Sequence, residues 1–202
     1  GATVTMDATG AYTVTGATID NLNDGETATI TFDVEVVDDS ATGTDTSTAS
    51  TITLTVTGTN DAPVLDAISA VAVAEDGATV NGTVTSTDAD NTSTVAYSAP
   101  VTAGFTLDAN TGVYSFDPTD VAYQSLADGE TLAVTVTVTA TDDNTATDTT
   151  DIVFNLTGTN DTPVVNATFT DLDGMTESDT MSGSIALSDI FVSDADTSDT
   201  QS

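Results

Sequence analysis

Along most of this chain, apolar side chains alternate with threonine or acid at a period of two. Thr29-Ile30-Thr31-Phe32-Asp33-Val34-Glu35-Val36 and Leu132-Ala133-Val134-Thr135-Val136-Thr137-Val138-Thr139-Ala140 show the pattern, as do Ser50-Thr51-Ile52-Thr53-Leu54-Thr55-Val56-Thr57 and Ile152-Val153-Phe154-Asn155-Leu156-Thr157. A period of two puts the apolar set on one face of an extended segment, which predicts half-buried antiparallel strands and no helix. Threonine fills 46 positions, a β-branched residue that favours extended backbone and keeps its hydroxyl wet on the outer face. Turns are marked by Asn23-Asp24-Gly25, Asp108-Ala109-Asn110-Thr111-Gly112 and Ala127-Asp128-Gly129.

The pattern repeats. Gly58-Thr59-Asn60-Asp61-Ala62-Pro63-Val64 returns as Gly158-Thr159-Asn160-Asp161-Thr162-Pro163-Val164. Asp24-Gly25-Glu26-Thr27 returns as Asp128-Gly129-Glu130-Thr131, Asp38-Asp39 as Asp142-Asp143, Asp88-Ala89-Asp90 as Asp194-Ala195-Asp196, and Glu75 as Glu177. Five markers in one order at a spacing of about 100 residues define a tandem array. They predict a complete β-sandwich repeat at 62–161, the C-terminal part of one at 1–61 and the N-terminal part of another at 162–202, a piece of something longer. About seven short strands per repeat fit an immunoglobulin-like sandwich. Its core is predicted to draw on Val71, Val73, Val80, Val84, Phe105, Leu107, Tyr114, Phe116, Leu126, Val134, Val136, Val138, Ile152, Phe154 and Leu156.

Charge changes the picture. The 202 residues include 28 Asp and 5 Glu but no Lys, Arg, His, Cys or Trp, for a formal charge of −33. Without basic groups the chain cannot neutralise phosphates, which excludes nucleic acid and anionic membrane surfaces as partners. Serine triads, thiol chemistry, Schiff bases and zinc or haem ligation each need a residue that is missing. Carboxylate-only chemistry is left, but a glycosidase-like pair needs a cleft and usually aromatic platforms, and four Tyr and six Phe fall mostly at core-like positions. The chain is therefore not expected to be an enzyme. At 38% hydrophobic residues it is too apolar for a solvated tail and should fold. No run of about 18 apolar residues marks a membrane span, and no signal-peptide pattern opens the chain. An exterior setting is expected.

No side-chain salt bridge can form here, so inorganic cations must balance the acids. Aspartate in turns suits hard divalent ions, and calcium takes about six to eight oxygens at roughly 2.3–2.6 Å.

The Asn-Asp-x-Pro-Val segment, with Asp128-Gly129-Glu130 and a Val-Thr strand ending in Thr141-Asp142-Asp143, resembles the VCBS and cadherin-like repeats of giant bacterial RTX adhesins over the whole chain. The resemblance implies tandem cadherin-like sandwiches joined end to end, with calcium at the joints. Carried over by position, it places Asn60, Asp61, Asp88, Asp90, Asp142 or Asp143, Glu26 and Asp24 at the first joint. At the second it places Glu75, Asp128, Glu130, Asn160, Asp161, Asp194 and Asp196. This linker carries one acid where the cadherin pattern has several.

Each motif also has a plain structural reading. Pro63 would hold Ala62 extended in a simple linker. Asp88-Ala89-Asp90 could be a solvated turn, Asp142-Asp143 a hairpin tip, and Asp24-Gly25-Glu26 with its repeat a turn alone. Glu75 stands out because glutamate is so scarce.

The resemblance implies an extender or stalk of a calcium-dependent adhesin, secreted to a bacterial surface and touching neighbouring repeats of its own chain. Two other classes stand beside it: a glycan- or protein-binding sandwich using loops such as 108–112, and a subunit of a self-assembling filament. Trypsin should find no cleavage site in any state.

Overall fold

A computed structural model of the chain describes residues 3–16, 19–36, 46–90, 92–165 and 191–196. The described residues form strands, turns and loops, with no helix.

Two hairpins come first. Strand β1 (Thr3–Met6) pairs with β2 (Tyr12–Thr15), and β3 (Thr27–Val34) with β4 (Ser50–Thr57). In the second hairpin Thr27, Thr29 and Thr31 lie opposite Thr57, Thr55 and Thr53, while Ile30 lies opposite Leu54 and Phe32 opposite Ile52. The alternation thus sets the register, because a slip of one residue would turn every apolar side chain to the wrong face.

Residues 62–161 contribute β5 (Val64–Leu65), β6 (Val71–Ala74), β7 (Val80–Thr83), β8 (Ser86–Thr87), β9 (Ala96–Ser98), β10 (Phe105–Leu107), β11 (Val113–Phe116), β12 (Thr131–Thr141) and β13 (Thr147–Thr157). One sheet has the order β6-β13-β12-β9 and the other β10-β11-β7, with β5 and β8 paired separately. Strand β6 runs parallel to β13; the other pairings are antiparallel. These strands outnumber the seven or so expected because β5, β8 and β9 are too short for alternation to register. Beyond the second linker, β14 (Val164–Val165) pairs with β15 (Phe191–Ser193).

The core lies between the two larger sheets. Phe154 of β13 stacks on Phe116 of β11 with ring centroids 4.1 Å apart and planes 11° from parallel, and meets Tyr114 edge-on at 6.2 Å. Val84, Leu126, Val136, Val138, Ile152 and Leu156 are buried with them. Val71, Val73, Val80, Phe105, Leu107 and Val134 are half-buried against this cluster. Tyr123 and Ala140 are buried as well and were not among the core residues expected from the sequence. Tyr123 lies in an irregular stretch with no alternation, and its hydroxyl donates to the Ala103 carbonyl at 2.7 Å.

The tandem relation extends to single bonds. Thr51 Oγ1 donates to Asp33 across β3 and β4 at 2.6 Å, and Thr137 Oγ1 donates to Asp151 across β12 and β13 at 2.6 Å. The same cross-strand pair recurs with its two members exchanged.

Candidate cation sites at the two linkers

Each linker starts from a glycine that only glycine can occupy. A Cβ on Gly158 would strike the carbonyls of Leu126 and Ala127, and one on Gly58 those of Leu22 and Asn23. The bare backbone lets Gly158 N–H donate to Glu130 O at 2.8 Å and its carbonyl accept Gly129 N–H at 3.1 Å. Gly58 repeats this with Glu26 O at 2.8 Å and Gly25 N–H at 3.2 Å. The Asp-Gly-Glu turns therefore grip the start of each linker through main-chain bonds. Their carboxylates turn back on themselves: Glu26 Oε2 accepts Asn23 N–H and Nδ2–H, and Glu130 Oε2 accepts Ala127 N–H. Glu26, Glu130, Asp24 and Asp128 are exposed, and none belongs to the carboxylate group described next.

Past Gly158, three of the expected residues converge. Oxygen atoms of Glu75, Asp161 and Asp196 lie within 4.8 Å of one another, the one such group among the described residues. Strand β6 delivers Glu75 by running beside β13, with Glu75 N–H donating to Thr157 O at 3.0 Å. Glu75 is 1% exposed and Asp196 2% exposed. Thr159 N–H donates to Glu75 Oε1 at 2.7 Å, and Asp161 N–H to Asp196 Oδ2 at 2.9 Å. Asp194 Oδ1 accepts Asp196 N–H at 3.2 Å, and Asn160 Nδ2 donates to the Asp161 carbonyl at 2.7 Å. Glu75 Oε2 and Asp196 Oδ1 are buried and have no partner. Burial, then the charges of Asp76, Asp196 and Asp194, hold the Asp161 carboxyl above its ordinary pKa. Asp76 was not among the candidates read from the sequence; it follows Glu75 directly, and its Oδ2 accepts the Thr159 hydroxyl at 2.9 Å.

The first linker repeats half of this geometry. Asp61 N–H donates to Asp90 Oδ2 at 3.0 Å and Asp90 N–H to Asp88 Oδ1 at 3.0 Å. Ser93 Oγ caps Asp88 Oδ2 at 2.7 Å. Asp90 is buried, and its Oδ1, like that of Asp196, has no partner. Asn60 Nδ2 donates to Asp142 Oδ2 at 2.8 Å, while Asn60 Oδ1 accepts Asn144 Nδ2–H at 2.7 Å. The Asn60 amide first, then the N–H groups of Ala146, Asn144 and Thr145, holds the Asp142 carboxyl below its ordinary pKa against the effect of burial. Asp143 is exposed and accepts a long bond, 3.4 Å, from Thr94 N–H. The two segments also meet directly, Thr92 N–H donating to Asn23 Oδ1 at 3.1 Å. Among the described residues no third carboxylate closes this group.

These residues fit a hard divalent cation. A buried carboxylate oxygen without a donor costs about 1–3 kcal/mol or more, and no Lys, Arg or His exists anywhere in the chain to supply one. Carboxylates and amide carbonyls are calcium ligands by chemistry, and the chain has no Cys or His to compete for the site.

No family model matches the chain, and no curated protein matches it either. Among solved structures it is similar to human CDH23 EC21-23, at 19% identity and a TM-score of 0.48, over 96% of this chain and 62% of that one. It is similar to protocadherin gamma B7 extracellular cadherin domains 1-4, at 16% identity and a TM-score of 0.46, over 82% of this chain and 42% of that one. Drosophila N-cadherin EC1-4 gives 18% identity and a TM-score of 0.44, over 80% and 41%. The chain thus spans less than two thirds of each of these structures. All three are tandem cadherin domains. At TM-scores below 0.5 the likeness adds no argument to the all-β arrangement read from the strands themselves.

Proposed function

We propose that this chain is a passive extender, a run of β-sandwich repeats stiffened by calcium at the linkers, from the stalk of a bacterial cell-surface adhesin. In this reading 62–161 is one complete repeat, 1–61 and 162–202 are parts of its neighbours, and its partners are those neighbours. It performs no catalysis. The observation that carries the reading is the pair of buried, unpartnered oxygens, Glu75 Oε2 and Asp196 Oδ1, on opposite sides of the second linker in a chain with no basic side chain. The bacterial, extracellular setting rests on the resemblance of the Asn-Asp-x-Pro-Val repeats to RTX adhesin repeats.

The residues do the positioning. Strand β6 holds Glu75 at the end of one repeat, the linker amide of Asp161 holds Asp196 of the next, and Gly158 pins the linker to the Ala127–Glu130 turn. A calcium ion would supply the positive charge that lets carboxylates from both repeats stay together. Without it, like charges at 4.8 Å or less favour separation, and the linker becomes a hinge.

A calorimetric melt in millimolar calcium and in excess chelator, with small-angle scattering on the same samples, tests this. Calcium should raise the melting temperature and lengthen the particle. Unchanged melting and shape would make the acidic clusters solvated loops and remove the proposal.

A further inference from the structure

Thr159 carries two donors, and both go to consecutive acids. Its N–H donates to Glu75 Oε1 at 2.7 Å and its hydroxyl to Asp76 Oδ2 at 2.9 Å. The acids sit on a tight turn closed by Gly77 N–H on Ala74 O at 2.9 Å, so the two side chains straddle one linker residue. Glu75 is thereby committed through one oxygen while Oε2 is left without a protein partner.

Nothing in the electrostatics of the linker would hold Glu75 there unaided. It lies beside Asp161 and Asp196, all of one sign, and an unrestrained glutamate would rotate towards water. The Thr159 N–H offsets part of that repulsion, and the hydroxyl bond to Asp76 keeps Thr159 in place to donate it. Removing the hydroxyl would free Thr159 from Asp76 without changing any charge.

We propose that Thr159 is a positioning residue for the second linker's cation site, clamping Glu75 in its ligating arrangement through paired bonds to Glu75 and Asp76 before any cation arrives. The clamp deepens the calcium reading above and rests on it. It predicts that the geometry of the site is set in advance, so that binding does not also have to order Glu75.

The test uses the whole 202-residue chain carrying D90N, which silences the first linker, compared with T159V, T159S and D76A added to it. Amide exchange at Thr159 in excess chelator reports the clamp without metal. It should be slow in the parent and in T159S, and about ten-fold faster in T159V and D76A. Calcium titration should give T159S the parent affinity and T159V one weaker by about ten-fold, the usual effect of losing an outer partner of a ligand. Thr159→Val alters no charge, so a loss there cannot come from changed electrostatics. Parent-like calcium affinity in T159V, or equally fast exchange in all four proteins, overturns the proposal. Adding E75Q separates the two readings: if it leaves calcium binding unchanged, the site itself fails, whereas the exchange rates still judge the clamp.

Discussion

The backbone N–H of Asp161 donates to Oδ2 of Asp196 at 2.9 Å, which ties the linker to the acidic loop at 194–196 through a carboxylate. Asp61 and Asp90 make the same bond at 3.0 Å. In both places the second oxygen of the accepting aspartate is buried and unpartnered, so each loop is fastened by one oxygen and leaves the other free of protein donors.

Glu75→Gln should change sign with calcium. In chelator the substitution removes a buried negative charge and keeps an acceptor for Thr159 N–H, and stability should rise by about 1 kcal/mol. In calcium the variant loses a ligand and should be less stable than the parent. Thermal melts in the two buffers check the crossing, and a parallel loss in both would contradict it.

Acid stability has an identifiable contributor away from the linkers. Asp148 Oδ2 accepts Leu65 N–H at 2.9 Å, and that bond first, then Thr149 N–H, holds the Asp148 carboxyl below its ordinary pKa. A lowered folded-state pKa gives stability that is complete above the unfolded value, about pH 4, and is lost as pH falls through the folded one. Asp161 has the opposite shift and regains stability on acidification. Asp148→Asn should therefore lower the melting temperature at neutral pH in chelator but flatten its fall between about pH 5 and pH 2. An acid limb as steep as the parent's would rule this out.

Gly158→Ala should cost about 1–3 kcal/mol, the usual penalty for forcing atoms into filled space. The new methyl group meets the Leu126 and Ala127 carbonyls, both backbone, so neither can swing aside as a side chain would. A chemical denaturation curve measures the loss, and amide exchange at Gly129 should rise as its bond to Gly158 opens.

Phe154→Ala should unfold most of the sandwich. The ring is fully buried between Phe116 and Tyr114, and deletion of such a group costs about 3–5 kcal/mol, comparable to the whole stability of a small domain. Loss of near-ultraviolet circular dichroism from Tyr114 and Tyr123 is the expected signal.

Much of the fold is legible in the sequence alone. Strands β3, β4, β12 and β13 follow the alternation residue by residue, since a strand with one dry face must alternate, and Val136, Ile152 and Phe154 were placed in the core on that ground alone. Glu75, Asp161 and Asp196 were picked out by scarcity and repetition. The turn acids Glu26 and Glu130 share the same repeat spacing, and spacing does not encode that each carboxylate accepts an amide of its own turn. Asp76 and Thr159 stayed hidden for another reason. Their roles depend on β6 lying parallel to β13, a pairing between segments more than 80 residues apart that no local pattern encodes.

That parallel pairing also governs how residues 62–161 would respond to tension. If a stalk is pulled lengthwise, force enters one end of the repeat ahead of β6 and leaves the other after β13. Because the two strands run the same way and lie side by side, opposed pulls slide them past each other and load their hydrogen bonds together, as in a lap joint, whereas a hairpin pulled at its open end parts one bond at a time. The short strand of four residues that delivers Glu75 to the linker is thus also the seam that would have to shear before the repeat could lengthen.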